Sequence, residues 1–478
     1  MSAMPLDIIV MAAGKGTRMK SRHPKVLQRL AGRPLVFHVL DRAAQLEARR
    51  VVLITGHGAT EVEAACARQV SFSGQFDLKF ALQQPQLGTG HAVQQALPQL
   101  DDDGLVLVLS GDVPLTRVDA LQALVAASGG ERLALLTVRL PDPAGYGRIV
   151  RAAGGQVQRI VEHKDASSAE RAIDEIYSGI MAVPTRLLRR WVGQLRNDNA
   201  QQEYYLTDVV AMAVADGVPV VAHCIDDAVQ VAGVNSPAQL AELERACQRR
   251  QAHALMEQGV RLADPARFDL RDDAVRGTRG EILCAQDVEI DLGCIFTGRV
   301  ELGEGVQVGA YCCIANAVIA AGSVIQPFTH IYGEKAGVRV GEGARVGPFS
   351  RLRPGAVLGR EVHVGNFVEI KNSQLADGAK ANHLAYLGDA TVGERVNYGA
   401  GSITANYDGV NKHRTVIEHD VHVGSNCVLV APVTLGADGV VGAGSVVTHD
   451  APPGVLTLGR GRQVSKTEWH KPVKPLKN

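Results

Sequence analysis

From residue 283 onward, aliphatic side chains recur every six residues, and that period decides what the second half of the chain can fold into. Val340, Val346, Leu352, Leu358, Val364 and Ile370 form one unbroken series; Ile417, Val423, Leu429, Leu435, Val441 and Val447 form another. Shorter pieces are Leu302, Val308, Ile314 and Ile319, Ile325, Ile331. A helix repeats every 3.6 residues and a simple strand every two, so neither fits. The residue after the aliphatic is often Gly, and the fourth after it is small or Val, as at Ala344, Ser350, Ala356, Val362 and Val368. A β-solenoid satisfies this pattern: each repeat makes a short strand and a turn, the aliphatic points inward, and stacked repeats share one core. The period breaks between Ala376 and Val392, and again between Ile403 and Val416. Both breaks read as insertions, and they hold His383, Tyr386, Asn406, Tyr407, Lys412 and His413. Polar loops thrown from a regular scaffold are where binding groups collect.

The first half follows another rule. Apolar runs at 8–11, 51–55, 105–109, 133–138 and 179–183 alternate with helical spacing at 35–46, 60–70 and 118–127. That order predicts an α/β layer with a mostly parallel sheet, whose ligands bind at the carboxyl ends of the strands. The first run passes into a glycine-rich loop carrying Lys15 and Arg18. Ala12, Ala13, Gly14 and Gly16 leave no bulk, so backbone N–H groups and two cations can face phosphates. The loop is not a Walker loop, and Met19 stands where the dinucleotide fingerprint needs a third glycine. Ser110-Gly111-Asp112 falls at a second strand end. Between the halves, Ser236 can cap and Pro237 can open one helix that closes at Gly259, with a stripe of Leu240, Leu243 and Cys247. The expected organisation is therefore 1–235, a linker helix at 236–258, and 259–478.

Composition narrows the function. Lys plus Arg and Asp plus Glu number 50 each, so no basic field exists to hold nucleic acid. The eight cysteines show no C-x-x-C pair or zinc spacing and read as buried thiols of a reducing compartment. No signal peptide or membrane-length apolar stretch is seen, so a soluble, cytoplasmic protein is expected.

Specific motifs follow one another along the chain. They are the loop of residues 11–19, Pro24-Lys25-Val26, Gln86-Leu87-Gly88-Thr89-Gly90-His91, Gly111-Asp112-Val113-Pro114, Gly145-Tyr146-Gly147-Arg148, Val161-Glu162-His163-Lys164-Asp165 and Gly233-Val234-Asn235. The second half adds Leu352-Arg353-Pro354-Gly355, Val364-Gly365-Asn366-Phe367-Val368-Glu369, His383-Leu384-Ala385-Tyr386-Leu387-Gly388-Asp389 and Asn406-Tyr407-Asp408-Gly409. From about residue 6 to 470 the chain resembles the bacterial bifunctional N-acetylglucosamine-1-phosphate uridyltransferase/glucosamine-1-phosphate acetyltransferase family. The resemblance implies a Rossmann-like nucleotidyltransferase domain, a linker helix and a left-handed parallel β-helix that assembles as a homotrimer with sites between subunits.

For nucleotidyl transfer, the resemblance implies that a sugar 1-phosphate attacks the α-phosphorus of UTP. Lys25 would contact the phosphates and Arg18 would support transition-state charge. Met11, Ala12, Ala13, Gly14, Gln83, Gly88 and Thr89 would hold the uridine end, with Ser110 and Gly111 beside the metal. Asp112 and Asn235 would bind Mg2+, a hard cation that takes oxygen ligands. Gly147 and Glu162 would line the sugar site. The chain departs from the family at Tyr177, where relatives often carry a substrate-contacting Asn.

For acetyl transfer from acetyl-CoA to glucosamine 1-phosphate, an ammonium must first lose its proton. His383 matches the family's base, a role suited to histidine near neutral pH. Arg353 and Lys371 would take the sugar phosphate. Tyr386, Asn397, Asn406 and Tyr407 match sugar-binding positions, Asn406 and Tyr407 also match acetyl-CoA contacts, and Glu369 resembles an orienting or charge-balancing acid. Ala400, Ser425, Ala443 and Arg460 match acetyl-CoA contacts. The tail lysines 466, 471, 474 and 477 are expected to be solvated. Two rivals remain at this point: a single-activity sugar-nucleotide pyrophosphorylase whose solenoid only oligomerises or regulates, and a non-catalytic assembly subunit.

Overall fold

The computed structural model describes residues 4–68, 72 and 74–472. It divides into two compact units, Met1–Arg250 with Ala274–Gly277, and Gln251–Asp273 with Thr278–Asn478.

In the first unit the sheet order is Val220–Ile225, Leu133–Arg139, Glu175–Pro184, Leu105–Ser110, Leu6–Met11, Arg50–Thr55, Asp77–Leu82. The run Ile8-Ile9-Val10 is apolar without alternation because both faces are covered: Ile8 and Val10 pack into one core, Ile9 into the other. The expected strand at 179–183 belongs to Glu175–Pro184, which runs antiparallel to both neighbours. Direction leaves no mark in composition, and the rest of this path is parallel. Helices Leu35–Gln45, Ala59–Ala67 and Val118–Ser128 stand where helical spacing predicted them; the expected end of the second, Val70, lies outside the described residues. A hairpin of Arg148–Arg151 and Val157–Val161 joins the sheet at Ile176.

Ser236 Oγ accepts the Gln239 N–H at 3.3 Å and opens the helix Pro237–Glu257, while Gly259 leaves it at φ +94°. Its Leu243 and Cys247 are buried with Met19, Leu30 and Leu35 of the first unit.

The second unit is a parallel β-helix. One stack of eleven short strands runs from Arg261–Leu262 to Leu456–Thr457, and the other seventeen strands pair at every second position into two further stacks. The six-residue series faces inward throughout, with Val346, Leu352, Ile370, Val423 and Leu429 fully enclosed. One expectation fails. The break between Ala376 and Val392 is not an insertion, because Ala381 and Leu387 continue the inward positions and Lys380–His383 pairs with His363–Asn366. The frame was hidden by a small inward residue and by five-residue steps from Ile370 to Leu375 and Leu387 to Val392. The second break is a true loop, closed by a bridge between Tyr407 and Lys412.

Candidate active sites

The first site grows from the carboxyl ends of Leu6–Met11 and Leu105–Ser110, which pair through Met11 and Ser110. The loop is anchored by Ala12 N–H to Ile54 O and Gly111 N–H to Met11 O, each at 2.9 Å. Gly16 sits at φ +58°, and a Cβ there would fall 2.6 Å from Lys25 Cβ. That glycine lets Lys25 pack against the loop and reach inward. Gly88 is equally constrained, at φ +103° against the Tyr204 carbonyl. A cavity of about 290 Å³ results, lined by Met11, Ala12, Ala13, Gly14, Lys25, Gln83, Gly88, Thr89, Ser110 and Asp112, together with Val26, Gln86, Ala92 and Glu203. Ten of the expected residues thus meet in one place, with Gly111 beneath them; Lys15 and Arg18 stand exposed on the loop. Gln83 donates to Gly88 O at 2.9 Å, and Thr89 Oγ1 accepts the Leu206 N–H at 3.0 Å. Gln86 and Glu203 had no assigned role in the sequence reading.

The Lys25 ammonium donates to Asp112 Oδ2 and, at 3.1 Å, to Asn235 Oδ1. Two oxygens from distant parts of the chain therefore converge on one positive charge, the donor set a hard divalent cation takes. The residues fit a metal there.

At the expected sugar-site pair, both Glu162 carboxylate oxygens lie 3.7 Å from where a Cβ on Gly147 would stand. Burial pushes the Glu162 carboxyl above its ordinary range, opposed by the Thr207 hydroxyl that donates at 3.0 Å and reinforced by Asp208, Asp165 and Glu203. Tyr177 belongs to the core, and its hydroxyl is enclosed without a hydrogen-bond partner; burial, then the Glu162 charge, hold its phenol well above the usual range. Its backbone N–H donates to Gly147 O at 2.9 Å.

In the second unit, expected residues fall on two sides of one corner of the coil. On one side Arg353 donates to Glu369 at 2.8 Å. Lys371 lies against Lys412; that contact, then burial and the charges of Lys412 and Arg353, lower its pKa, and Asp389 opposes them. Asn372 and Asn406 both donate to Asp389, and the Tyr386 hydroxyl and Asn406 amide flank Gly388. Tyr407 is exposed in the loop. Only the fold shows Lys412 and Asp389 beside Lys371.

On the other side His383 lines a cavity of about 420 Å³ with Arg345, His363, Asn366 and Asn382, but not with Arg353 or Lys371. Asn397 contacts His422 in the same eleven-stranded stack, at 3.2 Å. His383, Ala400, Ser425 and Ala443 occupy equivalent positions on successive coils: Gly401 N–H donates to His383 O, Asn426 N–H to Ala400 O, Gly444 N–H to Ser425 O, and the Arg460 guanidinium to Ala443 O at 2.8 Å. The four acetyl-CoA candidates therefore form one line running from the histidine. The corner residues beside that line are Leu384, then Gly401, Asn426 and Gly444, so bulk drops away just past His383. Before it the same corner carries Tyr311, Phe328, Phe349 and Phe367, stacked at 5.3, 5.0 and 5.5 Å and each about half exposed. Lys466 and Lys471 are exposed; Lys474 and Lys477 lie outside the described residues.

A mostly parallel-sheet domain with a glycine loop over a cavity holding Lys25 and Asp112, followed by a β-helix of hexapeptides, defines a nucleotidyltransferase joined to an acyltransferase-type domain. Residues 8–177 match the MobA-like NTP transferase domain and 337–372 the bacterial transferase hexapeptide (six repeats), whose coil is a left-handed β-helix. "Bifunctional protein GlmU" of Acidovorax sp. (strain JS42) is 77% identical over 472 residues, covering 99% of each chain. The protein of that name from Paracidovorax citrulli (strain AAC00-1) is 74% identical over 470 residues and 98% of each chain. That of Cupriavidus pinatubonensis (strain JMP 134 / LMG 1197) is 55% identical over 472 residues, 99% of this chain and 100% of its own. The chain belongs to the bifunctional GlmU family. It is a uridyltransferase and an acetyltransferase that together make UDP-N-acetylglucosamine, which sets aside the single-activity and non-catalytic readings. Among the described residues no helix is long and apolar enough to cross a membrane.

Proposed function

We propose the following division of labour between the two sites. In the second unit glucosamine 1-phosphate binds with its phosphate against Arg353, Lys371 and Lys412, and its hydroxyls toward Tyr386, Asn397 and Asn406. His383 Nε2 takes the ammonium proton. The freed amine attacks the thioester carbonyl of acetyl-CoA, the C–S bond breaks, and the proton passes to the leaving thiolate. Acetyl-CoA lies along Ala400, Ser425 and Ala443, where small side chains allow close approach to the backbone, with Arg460 toward its phosphates and Tyr407 beside it. The observation that carries this placement is the line of equivalent positions from His383 to Ala443, opened by the loss of bulk at the corner.

N-acetylglucosamine 1-phosphate then reacts in the first unit. Its phosphate oxygen attacks the α-phosphorus of UTP, the α–β P–O bond breaks, and pyrophosphate leaves. Lys25 and Arg18 offset charge on the phosphates, the residues of the 290 Å³ cavity hold the uridine end, and Gly147 and Glu162 receive the sugar. Asp112 and Asn235 would hold Mg2+, which when bound supplies further positive charge against the triphosphate.

We infer a homotrimer as well. Within one chain His383 and the Arg353–Lys371 pair face different sides of a corner, so a second copy is needed to bring base and phosphate cations to one substrate. The exposed aromatic corner supports that packing: Tyr311, Phe328, Phe349 and Phe367 are all held at φ between +55° and +60°, a conformation costing about 1 kcal/mol for a residue with a Cβ. The eight free cysteines fit a cytoplasmic location. One coupled assay tests the whole: with glucosamine 1-phosphate, acetyl-CoA, UTP and Mg2+, both CoA thiol and pyrophosphate are released. Absence of CoA thiol refutes the acetyl-transfer half, and absence of pyrophosphate when N-acetylglucosamine 1-phosphate is supplied directly refutes the uridylyl-transfer half.

A further inference from the structure

The expected orienting acid for the base, Glu369, is engaged elsewhere. Its carboxylate accepts from Arg353 at 2.8 Å and from Arg351 at 3.5 Å. What His383 does meet is an amide: its Nδ1 lies 2.9 Å from Asn366 Oδ1. The contact is built by the coil. Asn366 and His383 end adjacent parallel strands in register, and the Leu384 N–H donates to Asn366 O at 3.0 Å, so the two side chains leave the backbone one above the other.

We propose that Asn366 is the positioning residue of acetyl transfer. An amide oxygen only accepts, so the ring nitrogen facing it carries the proton. Nε2 is then the lone-pair nitrogen, turned away from the neighbouring coil toward the substrate. The same bond fixes the rotation of an otherwise exposed ring. An amide does this without placing a negative charge beside the imidazole. Across the cavity the ring faces Arg345 and His363 of the same chain. Among these neighbours no carboxylate competes with the amide for Nδ1.

This inference rests on His383 as the base, and the experiment separates the two. Full-length wild type, Asn366→Ala, Asn366→Asp and His383→Ala are compared by CoA-thiol release across pH, with pyrophosphate release measured in parallel. Asn366→Ala lowers kcat for acetylation about 10- to 100-fold, leaving KM for both substrates and uridylyl transfer within about twofold. Asn366→Asp keeps the shape and the acceptor but adds charge, so it recovers much of that kcat and moves the acidic limb of the profile up by about one pH unit. An Asn366→Ala enzyme as fast as wild type, or an Asn366→Asp profile superimposed on it, overturns the assignment. Acetylation that survives in His383→Ala overturns the underlying base instead.

Discussion

The Lys25 ammonium bridges Asp112 and Asn235, residues 87 and 210 positions away in the chain. In doing so it occupies the ground a divalent cation needs. On the proposed roles, Lys25 is both a phosphate-binding cation and a competitor for the metal. Removing it should lower kcat for uridylyl transfer at least about 10-fold while lowering the Mg2+ concentration needed for half-maximal rate. Asp112→Asn should cost about 100-fold or more in pyrophosphate release and leave acetylation within about twofold. Chelation should silence only the first reaction. Steady-state assays of both products at varied Mg2+ decide these points; an unchanged Mg2+ requirement in Lys25→Ala would show that the bridge has no bearing on metal binding.

Glu162 gives a pH-dependent expectation for stability. Its folded pKa is raised, so the protonated form is favoured by folding: the group is at no disadvantage below the unfolded value of 4.5 and costs stability as pH rises through the folded value. Glu162→Gln should therefore raise the melting temperature of the first unit by about 2–4 °C at pH 7 and by less than about 1 °C at pH 4. The same substitution should weaken sugar 1-phosphate binding at pH 7, because one of the two carboxylate acceptor oxygens is lost. Thermal scans at the two pH values test the sign, and an equal gain at both would refute the burial argument.

How far the chain could be read in advance varied with how local the signal was. The β-helix was legible because each inward position needs its own aliphatic, so the period is printed in the sequence. It failed where Ala381 filled an inward position and the coil took five-residue steps, and His383 was consequently assigned to a loop although it ends a strand. The edge strand Asp77–Leu82 went unseen because much of its surface is open and its sequence is mixed. In the first site, motif residues converged as expected, yet Lys25 holding Asn235 is a contact over 210 positions that no spacing encodes. Asn366 and Asp389 stood out only once the coils stacked them beside His383 and Lys371, and the contact of Lys412 with Lys371 is likewise set by the fold.

Tyr177 illustrates a departure that only the fold can interpret. Its hydroxyl is enclosed and unpaired, so it is a cost rather than a contact. Tyr177→Phe should stabilise the first unit by about 1 kcal/mol, a melting shift of about 2–4 °C. KM for the sugar 1-phosphate should stay within about twofold. A marked rise in that KM would instead make the phenol a substrate ligand.

The aromatic corner of the β-helix predicts a coupled loss. Phe328 and Phe349 stack at 5.0 Å with nearly parallel rings and are about half exposed. Phe349→Glu puts a charge into that row, so if the proposed trimer packs there, light scattering should report monomer in its place. Acetylation should fall with it, since the proposed base His383 and the proposed phosphate cations Arg353 and Lys371 lie on different sides of the corner, whereas pyrophosphate release should persist. A stable trimer carrying that substitution would move the interface elsewhere.

Lys371 and Lys412 make the alkaline side of acetylation informative. Contact with a like charge, then burial, lowers the Lys371 pKa, so its ammonium is lost at a lower pH than an isolated lysine's. A sugar phosphate binds the charged form, and KM for glucosamine 1-phosphate should accordingly climb early as pH rises. Lys412→Gln removes the like charge. It should raise KM at neutral pH about 3- to 10-fold through the lost cation, yet push the alkaline climb up by about one pH unit as Lys371 regains its proton. Lys371→Gln should raise KM at every pH and shift the climb to whatever remains at Lys412. Identical alkaline profiles in wild type and Lys412→Gln would mean that the two ammonium groups do not share the substrate phosphate.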